Sequence, residues 1–296
     1  MSGKRSRHHH IVPKVLQRSF CFEGKSIWYS ERGDDGMFSK PEARNIDSTF
    51  KIFDYNTVIS DGKPSDIVES QFYGSIDNYL GRLLPSIIAR FAKREAPTFS
   101  DQSLTALQRV VFEMVKRTPD FTKKFDDLKT GREIVESELS ALDEGDHSGA
   151  DRVKLIADLN NNSLLRQLGR HARVSATISR MPLVNDALKE FSARWANIEG
   201  KQSFVLASLM AYRIGNGGGN GLSNSDMEIW MPISPKISLV LLRDPLNKVP
   251  LRVPEFRDHV RAVNDFAVAN SYAIASHSDI LLKSLVSHSP TFPQQA

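Results

Sequence analysis

The spacing of apolar positions changes twice along the chain. Between residues 11 and 60 they come in short runs: SIWYS (26–30) and FKIFDY (50–55) have the aromatic and β-branched content of strands, with GDDG (33–36) as a turn between them. From Asp66 the period becomes helical. Ile67, Phe72, Ile76, Leu80, Leu83, Leu84 and Ile87 fall along one stripe after the start signal KPSD, with Pro85 as a point of kinking. SDQSLTALQRVVFEMVKR (100–117) predicts a second helix, capped by Ser100 or Asp101 and ended by Thr118-Pro119.

Residues 120–196 read as almost wholly helical. Within them, the mixed-sign stretch FTKKFDDLKTGREIVESELSALDEGD suits a solvated helix face with paired charges, followed by LLRQLGRHARVSATISR and LVNDALKEFSARW. Strands return after Gly200 at KQSFVLAS, MEIWMPIS and KISLVLLRD, the last apolar enough for a buried sheet position. A helix over Glu255 to Asn270 closes the chain, and PTFPQQA reads as a frayed tail. The pattern predicts an α+β fold in a single domain, 1–296. A strand-rich lobe (1–62) and C-terminal strands with a closing helix (200–296) flank a predominantly helical body (63–199), and strands from both ends build the sheet.

Composition narrows this little. With 296 residues, 40% of them hydrophobic, the chain can bury a full core. Its net charge of +4, from 39 basic and 35 acidic side chains, is compatible with an anionic partner without requiring one. Cys21 is the single cysteine, so no internal disulfide framework forms. No apolar run reaches the roughly 18 residues of a membrane span, and MSGKRSRHHH lacks the apolar stretch of a secretory signal; the expectation is a cytoplasmic protein without a membrane partner.

The candidate chemistry begins at HHHIVPK (8–14), because histidine exchanges protons near neutral pH and binds metals. HHIVP resembles the first strand of the His-Me finger nucleases. Their compact hairpin site needs a further nearby histidine, yet none follows His10 until His147. A zinc site lacks support, since adjacent strand histidines point apart and no Cys or His pair at ligand spacing accompanies them. GNGGGNG (215–221) lacks both the Gly-Lys-Ser/Thr and the following helix of a phosphate loop, and reads as a flexible connection able to close over a substrate beside Asp226. Met114, Trp28 and Trp230 read as packing residues, and His8 as an exposed tail residue.

Taken together, the motifs resemble the bacterial domain of unknown function 4238 family. HHIVPKVLQRSF (9–20) is similar to that family's N-terminal signature, typically HHYVPQFYLRNF, and SIWYSER stands where its strand KIWVYD does. DIVESQF (66–72), LTALQRVVFEMVKRTPDF (104–121), SNSDMEIWMPISPKISLVL (223–241) and VNDFAVANSYAIAS (263–276) continue the likeness nearly end to end. Two departures stand out: Gln17 replaces an apolar residue, and Met227-Glu228 replaces Asn-Pro after the aspartate.

The resemblance implies an architecture and a polar set, His10 with His9, Arg18, Glu69, Arg117 and Asp226, but no reaction. If these converge, the inventory fits phosphodiester chemistry. His10 would be base or acid with Glu69 as partner, and Arg18 and Arg117 would clamp the phosphate. Asp226 would orient His10 or, together with Glu69, bind a divalent cation such as Mg²⁺; a metal-free mechanism needs no cofactor. Lys4, Arg5, Arg7 and Lys14 would track a nucleic-acid backbone. The leading expectation is a nuclease-like enzyme cleaving RNA or DNA, in bacterial defence or as a toxin. The alternative is a non-catalytic protein binding a nucleotide, nucleic acid or partner protein, and a homo-oligomer is compatible with either. The same residues could also serve only to knit a β-lobe onto a helical body.

Overall fold

MEIWMPIS and KISLVLLRD pair as a buried antiparallel ribbon, Glu228–Ser234 against Ile237–Arg243, with Trp230 opposite Val240. A computed structural model of the chain describes residues 7–60, 62–122, 125–143, 149–179, 181–215 and 221–289. The fold is α+β and falls into two compact units.

The larger unit comprises residues 10–51, 76–121 and the described part of the chain from 181 on. The ribbon lies in a five-stranded sheet ordered Arg252–Pro254, Phe191–Asn197, Ile237–Arg243, Glu228–Ser234, Tyr212–Ile214. A second sheet, ordered Glu42–Asn45, Ser26–Glu31, Ala273–Ser276, Leu206–Ala207, draws strands from both ends of the chain, as the sequence predicts. Phe204, Trp230, Val240, Val263, Ile274 and Leu282 form part of one core beneath helices Arg257–Ala269 and Asp279–Val286. The predicted stripe is buried from Ile76 through Leu80, Leu84 and Ile87 in helix Gly74–Ala92. Ser100 caps helix Asp101–Lys116 by accepting the Ser103 N–H.

Three expectations are corrected. SARW is not helical: Phe191–Asn197 is a strand, with Trp195 opposite Leu239. Helix Pro182–Leu188 ends before it, because pairing against a largely buried strand outweighs local spacing; the Trp195 indole N–H donates to the Pro97 carbonyl at 2.9 Å. In KQSFVLAS only Leu206–Ala207 is strand; the N–H groups of Phe204 and Val205 go instead to the Pro235 carbonyl and the Asn264 side chain. After the helix ending at Ala269 the chain adds strand Ala273–Ser276 and helix Asp279–Val286, capped by Ser278. The tail PTFPQQA, residues 216–220 of the glycine-rich run, and Lys4 and Arg5 lie outside the described residues.

The smaller unit comprises the described parts of 7–9, 52–75 and 122–179. Its helices Asp127–Asp143 and Asn162–Ile178 cross at glycine: a Cβ on Gly131 would meet the Leu165 carbonyl oxygen at 1.9 Å, and one on Gly169 the Asp127 carbonyl oxygen at 1.8 Å. The stretch expected to be a solvated face therefore buries one side, Val135 included. Arg173 stacks on Tyr55 at 4.3 Å, donates to the Tyr55 carbonyl, and pairs with Asp127 at 3.0 Å. Hairpin Val58–Ser60/Lys63–Ser65 is tied to the second of those helices by the Ile59 N–H, which donates to His171 Nδ1 at 3.1 Å. The predicted helix start is a π-helix, Val68–Tyr73, burying residues five apart (Val68 and Tyr73) and leaving Ile67 exposed off the α-helical stripe. Among the described residues, no helix is long and apolar enough to cross a membrane.

Candidate functional site

Strand His8–His10 alternates as strands do: His8 is exposed, His9 fully buried and His10 half-buried. Its flanks fix it, since the Asp54 N–H donates to the Arg7 carbonyl at 2.7 Å and the Ile11 N–H to the Phe50 carbonyl at 3.0 Å. His8 does not dangle as a tail residue; its ring meets Phe53 edge-on at 5.6 Å.

In the smaller unit, one turn residue joins two predicted site residues. The Asn56 N–H donates to His9 Nδ1 at 2.8 Å, while the Asn56 side-chain amide donates to Glu69 Oε2 at 2.8 Å. Because Nδ1 is the acceptor, His9 carries its proton on Nε2 and presents a donor rather than a basic lone pair. Glu69 sits within the π-helix, a distortion frequent at functional sites. Asn56 is only 3% exposed, so Asn56→Asp would set a second carboxylate against Glu69 with no donor between them. Urea unfolding is expected to show a loss of about 2 kcal/mol at neutral pH, smaller once the carboxyls are protonated.

In the larger unit, His10 and Arg117 come together. The Arg117 guanidinium is buried, paired with Asp77, and donates to the His10 carbonyl at 2.8 Å. It anchors the backbone that carries His10, and its two terminal nitrogens are committed within the protein. The His10 imidazole is pushed down to about 4, first by burial and then by the charges of Lys14, Lys51 and Arg117. A hydrogen bond to the Ile46 backbone opposes this by favouring the protonated ring, so the ring is the donor there. His10 Nε2 is shielded from solvent and has no hydrogen-bond partner among the described residues. His10 at neutral pH is thus an uncharged imidazole in a cationic setting, with one ring nitrogen unengaged.

The remaining candidates are placed as follows. Lys14 and Lys25 both donate to Asp47, holding that carboxyl down at about 2. Arg18 is exposed, with no side-chain hydrogen bond or ion pair among the described residues. Asp226 is exposed in the turn before strand Glu228–Ser234, accepting from Ser225 Oγ at 3.4 Å. Arg7 pairs with Asp54 at 2.9 Å. Glu69 belongs to the smaller unit, His10, Arg18, Arg117 and Asp226 to the larger. Among the described residues no group of three or more His, Cys, Asp or Glu side chains is arranged to hold a metal ion. Trp230 is buried with its indole N–H on Glu228, and Trp28 stacks on Phe22, which fits packing roles.

Three contributors escape the motif reading: Asn56, Lys51 and Asp77. Asn56 carried a signal, standing in a DYNT turn where Asx side chains organise backbone N–H groups. Lys51 and Asp77 carried none beyond their neighbours, Lys51 opening the strand Lys51–Phe53 and Asp77 lying beside the buried Ile76.

A family model described as a protein of unknown function (DUF4238) matches residues 8–279. No curated protein and no solved structure matches this chain.

Proposed function

The chain belongs to the DUF4238 family, and from its own residues we propose that it is a nuclease-like enzyme cleaving RNA or DNA phosphodiesters, with His10 as general base. The observation that supports this reading is the His10 ring itself: uncharged, fixed through Ile46, with Nε2 unengaged beside the charges of Lys14, Lys51 and Arg117. Those charges that depress the imidazole would also draw a phosphate and offset the charge that builds on it during attack. On RNA, Nε2 takes the proton of a ribose 2′-hydroxyl, the 2′-oxygen bonds to phosphorus, the P–O5′ bond breaks, and the leaving oxygen takes a proton from water. Exposed Arg18 would meet the phosphate in place of the committed Arg117. A cytoplasmic setting, in bacterial defence or as a toxin, is the context we attach to this chemistry.

A second reading has its own support, because the shielding of Nε2 favours a non-catalytic protein that binds nucleic acid, a nucleotide or a partner. Incubating purified protein with labelled RNA and DNA, with Mg²⁺ or with EDTA, separates the two. The expected result is cleavage that is reduced at least about a hundredfold in His10→Ala. With the imidazole at about 4, the rate should fall tenfold per pH unit below that value and run level above about pH 5. Binding without cleavage in every condition would favour the second reading, and cleavage unchanged in His10→Ala would remove the histidine from the mechanism.

A further inference from the structure

The smaller unit contains a cleft of about 160 Å³ lined by Arg7, Asp54, Thr57, Gln167 and Arg170, with Val58, Ile59 and Pro64 as its apolar wall. Its charges are unequally satisfied. The Asp54 carboxylate accepts Arg7 on one oxygen, at 2.9 Å, and the Thr57 hydroxyl on the other, at 3.2 Å. Arg7 is further held by the Phe53 ring, 4.1 Å from its guanidinium carbon. Arg170 differs. Its side chain is 26% exposed, and its Nε stands 3.9 Å from Asp127 Oδ2, in a carboxylate whose other oxygen is bonded by Arg173 at 3.0 Å. Among the described residues Arg170 makes no hydrogen bond, although a largely buried guanidinium is costly to leave without acceptors.

We propose that this cleft binds a phosphate ester, with Arg170 and the outer edge of Arg7 as its two guanidinium donors. Two cations against one carboxylate leave the lining one positive charge in excess. Planar donors on a restrained side chain suit a tetrahedral anion. The wall of Val58, Ile59 and Pro64 suits the sugar or base that such an ester carries, and the Gln167 amide at the rim can bond a polar edge of it. The ester is either a free nucleotide or a backbone phosphate of a strand. In the second case the cleft deepens the nuclease reading by adding a phosphate subsite in the unit that lacks His10, and in that respect it rests on that reading.

The test uses the full chain and reads binding rather than cleavage. Inorganic phosphate and adenosine 5′-monophosphate are titrated by calorimetry, and a fluorescein-labelled single-stranded RNA by anisotropy in EDTA. Wild type is compared with Arg170→Gln and Arg170→Lys, after unfolding curves show that each variant folds. Arg170→Gln is expected to weaken phosphate-ester binding at least tenfold, and Arg170→Lys less, since it keeps the charge but loses the fork. Weakening confined to the monophosphate identifies a free nucleotide, and weakening of the RNA a strand; either supports the site. Affinities equal to wild type in both variants, or no binding by any probe, would overturn it. Arg170-dependent binding together with no cleavage in either the Mg²⁺ or the EDTA incubation would sink the nuclease reading alone.

Discussion

Gly131→Ala is expected to cost about 3 kcal/mol or more and to abolish the native packing of the smaller unit. The added methyl would lie 1.9 Å from the Leu165 carbonyl oxygen, and its three nearest neighbours are backbone atoms with no rotamer to move. Alanine is the better helix former by about 1 kcal/mol, so propensity predicts the opposite sign and the clash decides. Gly169→Ala meets the same obstacle at the Asp127 carbonyl. Gly81 is the control: it is exposed in helix Gly74–Ala92 and nothing lies within 4 Å of the Cβ it would gain, so Gly81→Ala should stabilise by about 0.5–1 kcal/mol. Circular dichroism is the readout, because Trp28, Trp195 and Trp230 all belong to the larger unit and their fluorescence would not report on this crossing. If Gly131→Ala and Gly81→Ala behaved alike, the close approach of the two helices would be wrong.

Arg117→Met is the second large effect. Removing a buried guanidinium leaves Asp77 without its cation and the His10 carbonyl without a donor, and breaking a buried pair this way costs about 3 kcal/mol or more. The Asp77 side chain keeps 35% exposure and can recover some hydration, so the lower end, about 2–3 kcal/mol, is expected. The same change removes one of the charges that depress His10, and the imidazole should titrate above its present value of about 4. With the folded value below the free value of 6.5, the unfolded chain takes up the proton first, so the contribution of neutral His10 is present above 6.5 and is lost as pH falls towards about 4. In Arg117→Met that window narrows from its lower end. Urea unfolding at several pH values, with histidine NMR titration of the same samples, reads both effects, and an unmoved His10 would show that Arg117 acts only on the backbone.

Much of this was legible in the sequence, for identifiable reasons. MEIWMPIS and KISLVLLRD announce a buried ribbon because apolar runs of that length have few other uses. The stripe from Ile76 to Ile87 was readable because one helix face packs throughout. SARW misled because its spacing is compatible with a helix, and only its partners Ile237–Arg243 and Arg252–Pro254, far along the chain, make it a strand. The π-helix was hidden for a similar reason, since apolar spacing assumes 3.6 residues per turn. At the site, residue types showed that imidazole, guanidinium and carboxylate groups were present. Which guanidinium is already committed, as Arg117 is to Asp77, depends on an ion pair 40 positions apart that no local pattern encodes.

The strand carrying His9 and His10 has one further property. In a run of three identical side chains, a slip that moved His8 into the place of His9 would still offer a histidine to Asn56 and another to Ile46, so the imidazoles themselves give almost no preference between those two alignments. What discriminates is the unlike residue before them: such a slip would carry Arg7 out of its pairing with Asp54. A substitution at Arg7, which touches no proton in the proposed chemistry, would therefore be the one to blur which histidine is the base.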